Sequence, residues 1–128
     1  GDSRAYHITP EGIFQISRDH SVVENMVAKG DLTPLEARTH PNRNLITRAL
    51  GPDIHAKADT FELPWHKDEF LLLCSDGLVN TVSDQEMLFE VLHDGDVNEC
   101  LDHLLQISLQ RGAPDNITAV LLLNEEGR

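Results

Sequence analysis

The chain contains two long apolar runs, and each has an aspartate at one end. Residues 69–74 lead into Ser75 and Asp76, whereas Asp115 precedes the apolar residues 117–123. If both runs are buried antiparallel strands, the end of the first lies beside the start of the second. Asp76 and Asp115 then share one rim of a sheet. Neighbouring carboxylates repel each other and resist ionisation unless a cation joins them, so the arrangement predicts a metal site.

The overall charge narrows the range of partners. The chain has 128 residues, enough for one domain with a modest core, and a formal net charge of -12. An acidic surface of this kind repels nucleic acid and anionic lipid, so neither is an expected partner. It also repels phosphate, and phosphate chemistry here would need bound cations to reverse the local field.

Cysteines and hydropathy indicate where the protein functions. Cys74 lies in a predicted buried strand and Cys100 on the apolar side of a predicted helix, so both are interpreted as core residues in a reducing compartment. The sequence shows no signal peptide and no apolar stretch long enough to span a membrane. We therefore expect a cytoplasmic protein. The chain starts at Gly1 without an initiator Met, which indicates either a piece of something longer or a residue left by a tag.

Local patterns predict strands mixed with capped helices. Residues 4–8 and 13–17 flank a Pro-Gly turn and predict a hairpin with a four-residue loop. Helix N-termini are marked by capping patterns, which begin at Ser21, Thr33, Ser83 and Asp96. Residues 45–50 are interpreted as part of a helical stretch, and the alternation in residues 54–63 predicts a further strand. The order predicts an α+β layered fold with mostly antiparallel strands.

Each aspartate on its own has a simpler explanation. Asp76 and Asp115 both stand in sequences typical of ordinary turns, and Asp2 alone is a polar residue near the start of the chain. Together, however, all three precede or follow strands that an antiparallel sheet can gather at one rim. With no Cys or His among them, they offer hard oxygen ligands, which suit Mg²⁺ or Mn²⁺ better than zinc.

Five motifs occur in an order that resembles a known family. They are Gly-Asp-Ser-Arg-Ala-Tyr at 1–6, Asp-His-Ser at 19–21, Arg-Asn-Leu-Ile-Thr-Arg-Ala-Leu-Gly at 43–51, Leu-Leu-Cys-Ser-Asp-Gly-Leu at 72–78 and Gly-Ala-Pro-Asp-Asn-Ile-Thr at 112–118. The set resembles the bacterial branch of the metal-dependent PPM (PP2C-type) serine/threonine protein phosphatases. Each motif is weak alone, but their common order over essentially the whole chain is specific.

The resemblance implies a layered sandwich of antiparallel sheets flanked by helices, and a two-metal site. Asp76 and Asp115 match ligands of the two core Mg²⁺ or Mn²⁺ ions, and Asp2 matches a ligand of a third, weaker ion. Residues 22–50 look like the family's flap, which influences substrate choice. The implied reaction is hydrolysis of phosphoserine or phosphothreonine in proteins by a water that both metals activate. Phosphorylated proteins are the implied substrates, and a serine/threonine kinase is an implied partner.

The sequence also departs from the family pattern. The Glu-Asp pair, the Asp-Gly metal motif and the phosphate-binding arginine of the family's first half do not occur here. Residues 1–128 therefore resemble the C-terminal part of a phosphatase domain, with the N-terminal portion missing. Such a piece is expected to be inactive alone, and its unpaired sheet edges favour dimerisation or strand exchange.

Two other interpretations stay open. The chain fits a non-catalytic regulatory or interaction module that keeps the phosphatase fold, and it also fits an acidic α+β domain whose aspartates are only turn residues. The seven histidines are scattered and are interpreted as surface or capping residues. Arg43 and Arg48 are candidates for contacting substrate phosphate, although pairing with acidic neighbours is the simpler interpretation.

Overall fold

A computed structural model of the chain describes residues 1–52, 54–113 and 116–126. The chain divides into two compact units, of which the first comprises Gly1–Asp2 and Arg18–Thr60 and the second Ser3–Ser17 and Phe61–Arg128. None of the helices in the described part of the chain has the length and apolar character needed to span a bilayer.

The second unit is built on a four-stranded antiparallel sheet. Its strands are β1 (Arg4–Thr9), β2 (Gly12–Gln15), β3 (Phe70–Cys74) and β4 (Ala119–Leu123), in the order β2-β1-β3-β4. The predicted hairpin is confirmed, but Thr9 pairs directly with Gly12, so its loop has two residues rather than four. β3 is central, with β1 on one side and β4 on the other, and its side chains are apolar on both faces of the sheet.

Three helices cover one face of this sheet. They are α3 (Asp76–Val79), α4 (Asp84–His93) and α5 (Val97–Gln110). The core between sheet and helices contains Tyr6, Ile8, Leu72, Leu78, Val82, Met87, Val91 and Leu104, each at most 2% exposed. Cys74 and Cys100 are buried in the same core, as the sequence predicts. Burial raises the pKa of the Cys100 thiol to about 12, which makes it unreactive at neutral pH. The predicted α+β class is confirmed.

The first unit contains two short helices, α1 (Val22–Ala28) and α2 (Pro34–Arg38), both with the predicted caps. The Ser21 hydroxyl accepts a hydrogen bond from the backbone N–H of Glu24, and Thr33 and Glu36 form a reciprocal capping box. Gly30 follows α1 with φ of 83°, a left-handed conformation that glycine adopts without strain.

Two predictions about the first unit and its continuation are wrong. Residues 45–50 do not form a helix, and Ile46 instead makes an isolated β-bridge with Ser21. Residues 54–63, all of which the structure describes, form neither strand nor helix. Ile54 is 94% exposed, so its apolar character does not mark a core position.

Glu86 joins the start of α4 to the end of α5. It completes the capping box with Ser83, and its carboxylate accepts hydrogen bonds from both terminal nitrogens of Arg111, one at 2.9 Å. The paired Arg111 guanidinium, followed by the Ser83 backbone N–H, lowers the pKa of Glu86 to about 2. This carboxylate therefore stabilises the fold above its ordinary pKa, and the contribution disappears as the pH falls from about 4.5 to about 2.

Glu86→Gln is expected to lower the free energy of unfolding at pH 7 by about 1 kcal/mol, since the side chain is 37% exposed and solvent screens the pair. Urea unfolding of the chain at pH 7 and at pH 2 measures the effect, and the stabilities of the wild type and Glu86→Gln should converge at the lower pH. Glu11→Gln removes the same charge from an exposed hairpin loop and serves as the control. An equal loss in Glu11→Gln would mean that overall charge, rather than the Arg111 pair, is responsible.

Candidate functional site

The ends of β3 and β4 meet at one rim of the sheet, as the sequence predicts. Cys74 pairs with Ala119 in an antiparallel register, and the pairing extends one step further. The Ser75 backbone N–H donates to the Thr118 carbonyl at 2.9 Å, and the Thr118 backbone N–H donates to Ser75 Oγ at 2.9 Å. The chain leaving β3 is therefore held directly beside the chain entering β4.

Asp76 is placed at this rim by the start of α3. Ser75 occupies the N-cap position, but its hydroxyl bonds across to the β4 side rather than capping the helix. Asp76 follows as the first helical residue, and its carbonyl accepts from the Asn80 backbone N–H at 2.8 Å. The turn expected after β3 is thus one turn of helix, and the Asp76 side chain stands half-buried at its beginning.

Gly77 allows the two segments to approach each other closely. A Cβ atom at this position would overlap the main-chain oxygen of Asn116 and lie 3.1 Å from its carbonyl carbon and 3.2 Å from Ile117 Cγ1. Only glycine leaves room for this contact. The Ser-Asp-Gly sequence therefore combines a strand-to-strand clamp, a carboxylate and a residue small enough for the crossing chain.

The other two predicted metal ligands are Asp115 and Asp2. Asp115 lies outside the described residues, although Asn116 next to it accepts a hydrogen bond from Ser75 Oγ at 3.4 Å. Asp2 is half-buried and belongs to the first unit, whereas Asp76 belongs to the second. Their roles as metal ligands stay predictions. The chemistry of the set, three carboxylates without sulfur or imidazole, fits Mg²⁺ or Mn²⁺.

A charged triad in the first unit was missed by the sequence interpretation. Arg48 Nη1 donates to Asp59 Oδ1 at 2.9 Å, and His20 Nε2 lies 2.7 Å from Asp59 Oδ2. The His20 hydrogen bond, followed by the Arg48 one, lowers the pKa of the Asp59 carboxyl. The predicted acidic partner of Arg48 is confirmed. Arg43 differs, because its Nη1 donates to the backbone carbonyl of His40 at 3.2 Å.

A second cluster joins α4 to α5 in the second unit. His103 Nδ1 lies 3.0 Å from Asp94 Oδ2 and 3.5 Å from Glu90 Oε2, and the three ligand atoms all lie within 4.8 Å of one another. The Asp94 hydrogen bond raises the pKa of His103. In the sequence, the i,i+4 spacing of Glu90 and Asp94 indicates that their side chains share one side of a helix. Their pairing with a histidine of the next helix depends on tertiary packing, so the spacing alone does not predict the cluster. A half-exposed ion pair accounts for this cluster.

Relatives of known type match the whole chain in sequence. The serine/threonine phosphatase stp of Listeria monocytogenes is 35% identical over 131 residues, which cover 100% of this chain and 52% of the relative. The chain thus spans about half the length of that phosphatase. No protein-family model matches the chain.

Solved structures match its fold. The serine/threonine phosphatase Stp1 from Staphylococcus aureus superimposes with a TM-score of 0.87 and 39% identity, over 99% of this chain and 50% of that one. The catalytic domain of the phosphatase PstP, solved in complex with two manganese ions, superimposes with a TM-score of 0.77 and 36% identity. This match covers 94% of this chain and 49% of that one. By sequence and by fold, the chain is similar to about half of serine/threonine phosphatases of the PPM (PP2C) type.

Proposed function

We propose that this chain is the C-terminal part of a phosphatase catalytic domain, which hydrolyses phosphoserine and phosphothreonine in proteins once the N-terminal part completes it. The observation that carries the proposal is that the whole chain aligns with about half of proteins named as serine/threonine phosphatases. The strand clamp at Ser75 supports it, because it holds Asp76 at a rim where a metal-dependent site needs a carboxylate.

The open face of the sheet supports an incomplete domain. The three helices cover one face, whereas the opposite face exposes a continuous set of apolar side chains. Its exposed members are Phe14 at 53%, Leu73 at 43%, Val120 at 46% and Leu122 at 41%. Neighbouring strands place Leu73 opposite Val120 and Leu71 opposite Leu122, so these residues form one surface. A soluble domain rarely leaves such a surface uncovered, and the missing part of the sandwich is its proposed occupant.

The proposed cofactors are two Mg²⁺ or Mn²⁺ ions, held in this chain by Asp76 and Asp115, with Asp2 contributing to a third. Support comes from the oxygen-only donor set and from the relative PstP, which binds two manganese ions. When bound, such ions polarise phosphoryl oxygens and generate a hydroxide nucleophile at neutral pH. The role of Asp76 in this scheme is to hold charge at a fixed place; the carboxylate itself performs no nucleophilic attack.

Residues 22–50 are the proposed flap. Support comes from the first unit, which is compact, contains all of these residues and includes none of the four strands. We further propose phosphoproteins as substrates, a serine/threonine kinase as a functional counterpart and a cytoplasmic location. The last of these fits two buried cysteines placed on different elements, β3 and α5.

Phosphate release from a phosphothreonine peptide tests the proposal, with this chain compared with the full-length gene product. We expect Mn²⁺-dependent turnover by the full-length protein, its loss on chelation, and no measurable turnover by the chain alone. Light scattering on the same samples reports whether the chain alone forms a dimer.

The outcomes separate the alternatives. Robust turnover by the chain alone would contradict the proposal that this chain holds only part of the catalytic site. A folded full-length protein that releases no phosphate with Mn²⁺ would favour the non-catalytic module.

A further inference from the structure

The cluster between α4 and α5 brings three potential metal ligands to one point. Glu90 lies in α4, Asp94 is the C-terminal cap of that helix, and His103 lies in α5. One ligand atom from each residue lies within 4.8 Å of the other two. The side chains of Glu90 and Asp94 are only 20% and 14% exposed, whereas that of His103 is 49% exposed. All three residues belong to the second unit, so the cluster is formed within one compact body.

The distances within the cluster resemble those around a tetrahedral zinc ion. His103 Nδ1 lies 3.0 Å from Asp94 Oδ2 and 3.5 Å from Glu90 Oε2. Zinc binds imidazole nitrogen and carboxylate oxygen at about 2.0–2.2 Å, so neighbouring ligand atoms of a tetrahedral site lie roughly 3.3–3.6 Å apart. Both measured separations agree with this range to within a few tenths of an ångström. One ion can therefore join the three ligand atoms after small rotations of the side chains.

The local charge favours a divalent cation. Three carboxylates act electrostatically on the imidazole, namely those of Asp94, Glu90 and Glu99. A protonated imidazole balances only one of these three charges. Glu90 and Asp94 also stand at i,i+4 spacing, at which like charges repel each other. Without a metal the cluster is the half-exposed ion pair described above, and a dication would balance more of its negative charge.

The helices that carry the ligands are fixed by the core. Cys100 and Leu104, which are on the same helix as His103, are each 1% exposed. The Asp94 backbone N–H donates to the Glu90 carbonyl at 3.0 Å, which keeps the two acidic residues on successive turns. Ligands on packed helices are held more precisely than ligands on loops. The cluster therefore has a rigid frame.

We propose that Glu90, Asp94 and His103 form a zinc site that ties α4 to α5. This site goes beyond the proposed phosphatase function, because none of its ligands is among the three aspartates proposed for the rim. The imidazole favours zinc or a similar transition metal, whereas Mg²⁺ and Ca²⁺ prefer oxygen ligands. Three protein ligands leave the fourth position to water or to Glu99. An ion pair that binds no metal is the competing explanation.

Calorimetric titration of the full-length protein with Zn²⁺, in the presence of Mg²⁺, tests the site. The wild type should bind one zinc ion that His103→Gln binds at least about tenfold more weakly, since losing a residue that merely supports a ligand already costs ~10–100-fold. Zinc bound at the rim is common to both proteins and cancels in the comparison. His55→Gln removes an exposed histidine outside the cluster and should bind zinc like the wild type. Equal zinc binding by the wild type and His103→Gln would overturn the proposal.

Thermal unfolding distinguishes a specific site from a general attraction of cations to an acidic protein. Zinc should raise the thermal midpoint of the wild type, because a ligand that binds only the folded state stabilises it. Asp94→Asn should reduce this rise, whereas Asp102→Asn, which removes an exposed carboxylate of α5 outside the cluster, should retain it. Glu90→Gln replaces Asp94→Asn if that variant does not fold. An equal rise in the ligand variant and in Asp102→Asn would mean that zinc only screens negative charge, which rejects the site.

Mn²⁺-dependent phosphate release reports the proposed phosphatase function separately and should be unchanged in His103→Gln. If no protein releases phosphate, the zinc titrations still decide whether the α4–α5 site exists.

Discussion

Asp76→Asn is expected to lower Mn²⁺-dependent phosphate release by the full-length protein about a thousandfold. Metal ions contribute several kcal/mol of charge stabilisation in such reactions, and each 1.36 kcal/mol corresponds to about a tenfold change in rate. An amide has the size of a carboxylate but no negative charge, so it holds a divalent cation far more weakly. Initial rates over a range of Mn²⁺ concentrations measure the effect, and high Mn²⁺ should restore part of the rate.

The structure indicates that this substitution should leave the fold intact. Asp76 is half-buried, and the backbone and hydroxyl of Ser75 hold the rim through hydrogen bonds with Thr118 that the substitution leaves in place. Circular dichroism should therefore be unchanged. Asp68→Asn is the control: it removes one exposed carboxylate near the opposite end of β3, at a φ of 65° that asparagine tolerates. Wild-type Mn²⁺ dependence in Asp76→Asn would contradict the assignment of Asp76 as a ligand.

The parts of the fold that the sequence predicted are those determined locally or by burial on both faces. The β3 and β4 runs pair as expected because short continuous apolar runs favour strands of a sheet. The caps at Ser21, Thr33 and Ser83 were predictable because an N-cap and its partner are only three residues apart. These signals also located Ser75 and Asp76, the described part of the candidate site.

The errors concern segments whose structure is set by distant contacts. Residues 54–63 alternate like a strand, but no described strand pairs with them, and an alternating pattern alone does not create a sheet. Asp59 lies in this segment and bonds His20, 39 residues away in the chain. That triad does not follow from sequence spacing, since it depends on how the first unit packs.

Gly77→Ala is expected to destabilise the chain by about 3 kcal/mol, the upper end of the usual range for overpacking. The added methyl group would meet the main chain of Asn116 rather than a flexible side chain, so the strain must be relieved by moving the backbone. For a chain of this size, the thermal midpoint should fall by roughly 10 °C. Thermal and urea unfolding followed by circular dichroism measure the loss.

Gly95→Ala makes the same change in the connection between α4 and α5, where an added Cβ would have no atom within 4 Å. It should leave stability nearly unchanged, which separates the contact at Gly77 from a general effect of removing glycine. Because Gly77 borders the carboxylate, Gly77→Ala in the full-length protein should also raise the Mn²⁺ concentration needed for half-maximal activity. Wild-type stability of Gly77→Ala would mean that the chains following β3 and preceding β4 are not in contact, and the proposed rim site would lose its structural basis.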